Sequence, residues 1–316
     1  MPHRAAAALL LCAFVTSAQE RTFRVQSKVV QVPVVVTNKD GRNIDGLVAS
    51  EFSVLDNRVP QQITLDDFSG GLPPISLVVA VQCSKTSELA LADVRRIGAM
   101  LQPLITGQRG EAAVVAFDRD IRWLQDFTHN EDWIRDAIRN LGIGSNAGAR
   151  IFDTIAQAAD RMRERKGRKI LLLISQSNDS GSALKLDSAI ETVEREGIEV
   201  FAAHYSSYAM SWISRSEDFP DKPTLDQMFF TEVARIGRTN HVKALALATG
   251  GADYSFARQQ GIDKAIGQLG SEVHSQYILS FPQHEDTPGM HQIDVSIPER
   301  ADLRIRARHG YWVDQP

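Results

Sequence analysis

The chain has 316 residues, enough for one large domain or two modest ones, with 43% hydrophobic and 23% charged residues, as in proteins that bury a core. Its formal net charge is −4, and charges of both signs are interspersed along the sequence. This balance argues against a dedicated surface for nucleic acid or for anionic membranes.

The first eighteen residues have the features of a secretory signal. His3 and Arg4 give a basic start, an apolar run covers 5–15, and small residues precede a predicted cleavage after Ala18. The apolar run is too short to span a bilayer stably, and a short membrane anchor is the alternative. We therefore expect an exported protein, periplasmic or extracellular, with no membrane span once the signal is removed.

Cysteine content bears on how the exported chain is stabilised. The sequence contains two cysteines, Cys12 and Cys83, and the first leaves with the predicted signal. A mature chain with a single thiol forms no internal disulfide. Exported proteins often depend on such bridges for stability. Because this chain is predicted to have none, we expect it to depend on its hydrophobic core alone.

Residues 22–72 are predicted to form a β unit. Valines dominate 25–36, and Asp40-Gly41 supplies the positive φ that a tight hairpin turn needs. The β pattern returns over 275–316. Strands at both ends of the chain predict one β-sandwich-like unit built from the two termini, with another domain inserted between them.

The inserted segment, 75–274, alternates predicted strands and helices. The stretches at 75–81 and 169–175, with unbroken apolar runs at 77–81 and 170–174, are typical of strands buried on both faces. Apolar residues at helical spacing over 88–105 predict one continuous helix. We predict an α/β fold with a doubly wound, mostly parallel sheet. Such sheets bind ligands outside the carboxyl ends of their strands.

Four separated phrases resemble those of one protein family. They read VPVVVTNKDGRNIDGL at 32–47, SEFSVLDNRVPQQI at 50–63, SQYILSF at 275–281 and ARHGYW at 307–312. In this order they resemble the exported bacterial VWFA-related proteins described from Acidobacteria, which contain a von Willebrand factor type A (vWA) domain. The resemblance implies a Rossmann-like vWA domain over 75–274 and a role in protein–protein interaction.

The resemblance also implies where a metal-ion-dependent adhesion site would lie. Such sites hold a divalent cation with oxygen ligands from three loops above the sheet: an Asp-x-Ser-x-Ser motif, a Thr and an Asp. The first loop here has Gln82 at the Asp position and keeps hydroxyls at Ser84 and Thr86. The Thr position falls on Ala149, and the Asp position of the third loop falls on Gln176.

These replacements predict a degenerate metal site. At an effective dielectric constant of about 20, a unit charge ~4 Å away is worth roughly 4 kcal/mol. Two neutral amides in place of two carboxylates therefore disfavour Mg²⁺ or Ca²⁺, and we predict no cofactor. Asp153 and Asp179 could act as substitute ligands only if their loops rearranged.

Lys85 and Arg150 add positive charge to the same loops. One hypothesis is that they bind a partner's carboxylate directly, since arginine offers a planar fork of donors. The alternative, which we favour, is a structural ion network with Asp118, Asp153 or Asp179.

Other motifs give weaker hypotheses. Cys83 and His204 follow or end predicted strands and together would make a nucleophile pair, although a lone cysteine after a buried strand is more often a core residue.

The aromatic-rich loop at 206–224 is a second candidate contact surface, with packing under the loop as the alternative. The glycine-rich loop at 142–148 follows a helix rather than a strand, which argues against a phosphate site.

The sequence thus predicts a non-enzymatic, exported vWA-domain protein that binds an unidentified protein through its upper loops without a divalent metal. A metal-dependent adhesion module with substitute ligands and an α/β enzyme using Cys83 are the alternatives. The predicted contact residues are Gln82, Ser84, Lys85, Thr86, Arg150, Asp153, Gln176 and Asp179.

Overall fold

The computed structural model describes residues 29–66, 73–144, 147–205, 233–256, 259–283 and 287–314. The predicted signal at 1–18 and the aromatic-rich loop at 206–224 lie outside these residues. The strands are β1 (Val29–Thr37), β2 (Ser53–Asp56), β3 (Val59–Pro60), β4 (Thr64–Leu65), β5 (Ile75–Gln82), β6 (Glu111–Phe117), β7 (Ile121–Thr128), β8 (Arg168–Ser175), β9 (Ile198–Tyr205), β10 (Asp253–Phe256), β11 (Tyr277–Pro282), β12 (Gly289–Ser296), β13 (Arg304–Ala307) and β14 (Gly310–Val313). The helices are α1 (Glu88–Val94), α2 (Gly98–Leu101), α3 (Glu131–Arg139), α4 (Ile151–Met162), α5 (Leu186–Arg195), α6 (His241–Ala248) and α7 (Gln259–Ser275).

A six-stranded sheet forms the centre of the α/β unit, in the order β10-β9-β8-β5-β6-β7. Every neighbouring pair is parallel except β6 and β7, which are antiparallel. All eight residues of β5 are buried, because one hydrophobic cluster covers each face of the sheet. Helices α1, α2, α3 and α7 pack on one face, and α4, α5 and α6 on the other. The predicted doubly wound, mostly parallel sheet is confirmed.

The prediction of one continuous helix over 88–105 is wrong. Helix α1 ends at Val94, α2 covers Gly98–Leu101, and a π-helical turn over Gln102–Thr106 follows. Two local causes favour this interruption. A Cβ on Gly98 would lie 2.9 Å from the Cα of Arg135, so this helix packs unusually close to α3. Pro103, which lacks an N–H, sits in the π-helical turn.

Strands from both ends of the chain form a second unit of two four-stranded sheets, ordered β13-β1-β11-β4 and β14-β12-β2-β3. Strand β1 pairs with β11 and β13, and β2 pairs with β12, so each sheet joins amino-terminal to carboxyl-terminal strands. A single hydrophobic cluster draws on both sheets. The predicted β-sandwich-like unit is therefore confirmed.

A buried polar network lies where the chain passes between the two units. Arg168, at the start of β8, donates to the carbonyl of Val273 (2.6 Å) and to Glu199 Oε2 (3.3 Å), and it also bonds Gln276. The Gln276 amide donates to the other oxygen of Glu199 (2.5 Å). These contacts join β8, β9 and the end of α7 at the amino-terminal edge of the sheet.

Within the described residues, no helix combines the length and apolar character needed to cross a membrane.

Candidate functional site

Gln82 and Gln176 meet at the carboxyl edge of the sheet because they end or follow the neighbouring strands β5 and β8. The Gln82 side-chain oxygen accepts a hydrogen bond from the backbone N–H of Gln176 (2.9 Å). A backbone N–H can only donate, so the atom facing it must be the amide oxygen. The amide nitrogen of Gln82 therefore faces Ser84 Oγ, to which it donates (2.7 Å). One side chain links the first and third loops.

Hydroxyl groups extend this contact into a cluster. Ser84 Oγ lies 2.9 Å from Thr86 Oγ1 and 3.0 Å from Ser87 Oγ. Thr86 also donates to the side-chain oxygen of Gln176 (3.3 Å). We call Gln82, Ser84, Thr86, Ser87 and Gln176 the amide–hydroxyl cluster. The structure thus brings together four of the eight predicted contact residues.

Ser87 and Tyr205 belong to this region although the sequence analysis did not select them. The Tyr205 hydroxyl, at the end of β9, donates to Ser87 Oγ (2.7 Å). Ser87 directly follows the predicted loop and carries a hydroxyl, which is a signal that could have been used. Tyr205 could be found only once the strand order placed β9 near β5.

The amide–hydroxyl cluster carries no negative charge. Its members are amides and hydroxyls, and the Gln82 N–H points at the Ser84 oxygen whose lone pairs a cation would need. Hard divalent cations require several oxygen ligands, usually including carboxylates. Across the residues that the structure describes, no group of three or more His, Cys, Asp or Glu side chains is arranged to hold a metal ion. The residues present do not fit a divalent cation.

Arg150 and Asp153 form an ion pair at the amino-terminal end of α4. The Arg150 Nη2 and Nε atoms donate to Asp153 Oδ2 at 2.6 and 2.8 Å. Asp153 also accepts from the N–H groups of Ala183 (2.9 Å) and Leu184 (3.1 Å) in the third loop. Burial alone would raise the pKa of Asp153, but these two N–H groups and the guanidinium hold that pKa below its ordinary value. Arg150 is therefore paired with Asp153, as in the ion-network hypothesis, and its guanidinium is not free to bind a partner's carboxylate.

Asp179 holds the third loop in shape. Its carboxylate accepts from the Ser182 hydroxyl (2.5 Å) and from the Phe152 N–H (3.3 Å), and its own N–H donates to His241 Nδ1 (2.9 Å). Burial lowers the pKa of His241, which favours the neutral ring that this contact requires. Asp153 and Asp179 are therefore engaged in positioning loops. Using either as a metal ligand would break those bonds.

Lys85 and Thr86 are the exposed members of the predicted set on the first loop. Lys85 has no ion pair with any residue that the structure describes. Asp118, another predicted partner, is fully buried and accepts from the N–H of Asp120 (2.7 Å). The first loop therefore presents a lysine and a threonine outward while its other polar groups face inward.

Cys83 lacks the surroundings of a nucleophile. Its side chain has no exposed surface, and burial raises the pKa of the thiol to about 12. His204 lies two strands away on β9, and its Nδ1 contacts Asp253 Oδ1 at 2.6 Å. Two strand spacings amount to about 10 Å, so the two side chains start too far apart for a direct thiol–imidazole bond.

No family model matches the chain, and no curated protein matches it. Among solved structures the chain is similar to BatB from Bacteroides thetaiotaomicron, with 14% identity and a TM-score of 0.45, over 63% of this chain and 98% of that one. It is similar to the vWF domain of the type V pili tip protein Mfa5 from Porphyromonas gingivalis, with 12% identity and a TM-score of 0.44, over 64% and 96% of the chains.

A third similar structure, a von Willebrand factor type A protein from Catenulispora acidiphila, is 10% identical with a TM-score of 0.47, over 92% of this chain and 65% of that one. The matched proteins include ones named for the von Willebrand factor type A domain. The fold itself is defined by the strand order and registers described above.

Proposed function

We propose that this protein is a non-enzymatic, exported binding module that contacts a partner protein through the loops at the carboxyl edge of its sheet, without a divalent ion. The observation that supports this most directly is the Gln82 side chain. It occupies the place where the resemblance expects a metal-binding carboxylate, and it directs an N–H donor into the hydroxyl groups instead.

Exposed apolar side chains next to the cluster support a contact surface there. Leu89, one turn after the first loop, is 91% exposed. Ile143, in the glycine-rich loop whose Gly144 N–H donates to the Cys83 carbonyl (2.6 Å), is 43% exposed, and Leu184, which follows the third loop, is 36% exposed. Isolated exposed leucines are common, but three large apolar residues that flank the cluster's loops, Leu89 at the start of α1 among them, are the composition of an interface patch.

The predicted site residues then divide by task. Lys85 and Thr86 are accessible and contact the partner. Gln82, Ser84 and Gln176 link the first and third loops. Arg150, Asp153 and Asp179 position the second loop against the third, because their charges are already paired or hydrogen-bonded. The Arg150→Ala variant is therefore expected to lower stability as well as binding, which separates positioning from direct contact.

Site-specific photo-crosslinking tests the surface. A photoreactive amino acid replaces Thr86, and a matched variant carries it at Lys166, an exposed residue at the opposite edge of the sheet. Both are incubated with an extract of the native cell envelope, with Mg²⁺ or with EDTA. We expect a discrete adduct from position 86, unchanged by EDTA, and no such adduct from position 166.

Two results would contradict the proposal in different ways. Identical adducts from both positions would mean that the upper loops are not a specific surface. An adduct from position 86 that disappears in EDTA would favour the metal-dependent alternative with substitute ligands.

A further inference from the structure

A cavity of about 230 Å³ lies between the two units, at the edge of the sheet opposite the amide–hydroxyl cluster. Its walls come from β1, the starts of β8 and β9, the end of α5 and strand β14. Small-molecule sites occur preferentially at such junctions, although most are larger, about 300–1,000 Å³. The volume therefore limits an occupant to the size of a metabolite monomer.

Glu194 is a buried acidic residue in the wall of this cavity. It lines the wall, is 6% exposed, and has no hydrogen-bond donor to its carboxylate among the described residues. A buried carboxyl without a partner is costly in its charged form. Burial accordingly raises the pKa of Glu194 to about 7, while the nearby Arg308 opposes that rise and Glu191 adds to it.

Arg308 supplies a positive group in the same wall. Its Nε donates to the carbonyl of Gly310 (2.7 Å) and its Nη2 to the backbone carbonyl of Glu194 (2.9 Å). Its remaining nitrogen, Nη1, lies beside Gly197, where a Cβ would come within 3.6 Å of it. In the described structure the guanidinium thus bonds only neutral carbonyls and keeps one nitrogen for another acceptor.

The other charges of the wall are already matched. Arg168 pairs with Glu199 at 3.3 Å, and Lys169 with Glu196 at 3.8 Å. Arg195 bonds Glu191 and Asp314 and stacks over the Trp312 ring at 4.6 Å. Glu194 and Arg308 are near enough to influence each other's pKa, but among the described residues neither forms an ion pair within 4 Å. Val30, Pro33 and Ile198 add apolar surface.

From this arrangement we propose that the cavity binds a free α-amino acid with an apolar side chain. The ligand's ammonium group pairs with the Glu194 carboxylate, and its carboxylate accepts from Arg308 Nη1. Its side chain lies against the apolar residues and Trp312. The complementarity is specific for a zwitterion, because a ligand with only one of the two charges leaves the other wall group unpaired. This site is independent of the proposed contact surface.

Binding of L-leucine to the full mature chain tests the proposal by isothermal titration calorimetry. The comparison ligands are 3-methylbutylamine, which lacks the carboxylate, and 4-methylpentanoate, which lacks the amine. The comparison variants are Glu194→Gln, Arg308→Lys and, as the matched control, Asp187→Asn, an exposed acidic residue in the first turn of the same helix. We expect saturable binding of L-leucine to the wild type and the control, and at least tenfold weaker binding for both analogues and both site variants.

The nuclear magnetic resonance signal of the Trp312 indole N–H gives a second measurement that does not depend on heat. It should shift with L-leucine in the wild type and not in Glu194→Gln, whose fold is checked by circular dichroism. The proposal is wrong if L-leucine does not bind saturably up to about 10 mM, a free energy of roughly 3 kcal/mol. It is also wrong if Glu194→Gln binds as well as the control does.

Discussion

Two groups of buried polar residues, one at each edge of the central sheet, differ in their charge. At the carboxyl edge, Gln82, Ser84 and Gln176 are neutral and bond one another. At the amino edge, Arg168, Glu199 and Glu194 are ionisable and buried. Neutral amides cost little when their hydrogen bonds are made, whereas a buried charge depends on a partner. Loss of one residue should therefore cost more at the amino edge than at the carboxyl edge.

The largest expected effect is at Arg168. The Arg168→Ala change leaves Glu199 buried without its cation and removes the bond to the Val273 carbonyl. Breaking a buried ion pair from one side costs about 3–5 kcal/mol. We expect the free energy of unfolding, measured by urea denaturation, to fall by about that amount.

Arg139→Ala is the matched control for Arg168→Ala. Arg139 also contacts an aspartate, Asp136 at 3.3 Å, but both side chains are more than half exposed. Exposed pairs contribute little, so no measurable change is expected. Equal losses for the two variants would mean that burial does not distinguish the amino edge.

Glu194 gives a pH-dependent test of the same edge. Its pKa is about 7 in the folded chain against an ordinary 4.5, so the native state holds this proton more tightly than the unfolded state does. Its contribution to stability is fully present below about pH 4.5 and is lost as the pH rises through about 7. The shift corresponds to about 3 kcal/mol. The free energy of unfolding of Glu194→Gln should therefore gain about 3 kcal/mol relative to wild type between pH 4 and pH 8.

The comparison between variants matters here because His309 titrates in the opposite sense. Burial lowers its pKa to about 4, so its contribution to stability grows as the pH rises from about 4 to 6.5. The His309 contribution to the free energy of unfolding is the same in wild type and in Glu194→Gln, so it cancels when the two values are subtracted. The exposed Asp187→Asn control should show no such gain. A flat difference for Glu194→Gln would mean that this carboxyl is not buried in solution.

More of the residues at the carboxyl edge than at the amino edge could be predicted from the sequence. The apolar runs of β5 and β8 predicted two buried strands, and the resemblance to vWA domains pointed to Gln82 and Gln176 at the metal-site positions after them. The β unit could also be predicted, since strand patterns at both termini need partners. Glycine and proline effects at Gly98 and Pro103 were not predicted, because helical periodicity alone does not reveal close packing.

The amino edge depends on contacts that no local pattern encodes. Arg168 and Gln276 are 108 positions apart, and Glu194 meets Arg308 across 114 positions. Such pairs become visible only when the two units are assembled. Tyr205 and Ser87 were missed for the same reason, since their bond joins strand β9 to the first loop across 118 positions.

The smallest expected effect tests the carboxyl edge. Gln82→Ala leaves the Gln176 N–H and the Ser84 hydroxyl without their shared partner. Unsatisfied buried groups cost about 1–3 kcal/mol, and we expect a loss near 2 kcal/mol in urea denaturation, because water can enter beside the exposed Thr86. Thr86→Ala, the matched control, removes an exposed hydroxyl and should change stability less. A loss for Gln82→Ala as large as that for Arg168→Ala would remove the distinction between the two edges, since a neutral amide would then behave like a buried charge.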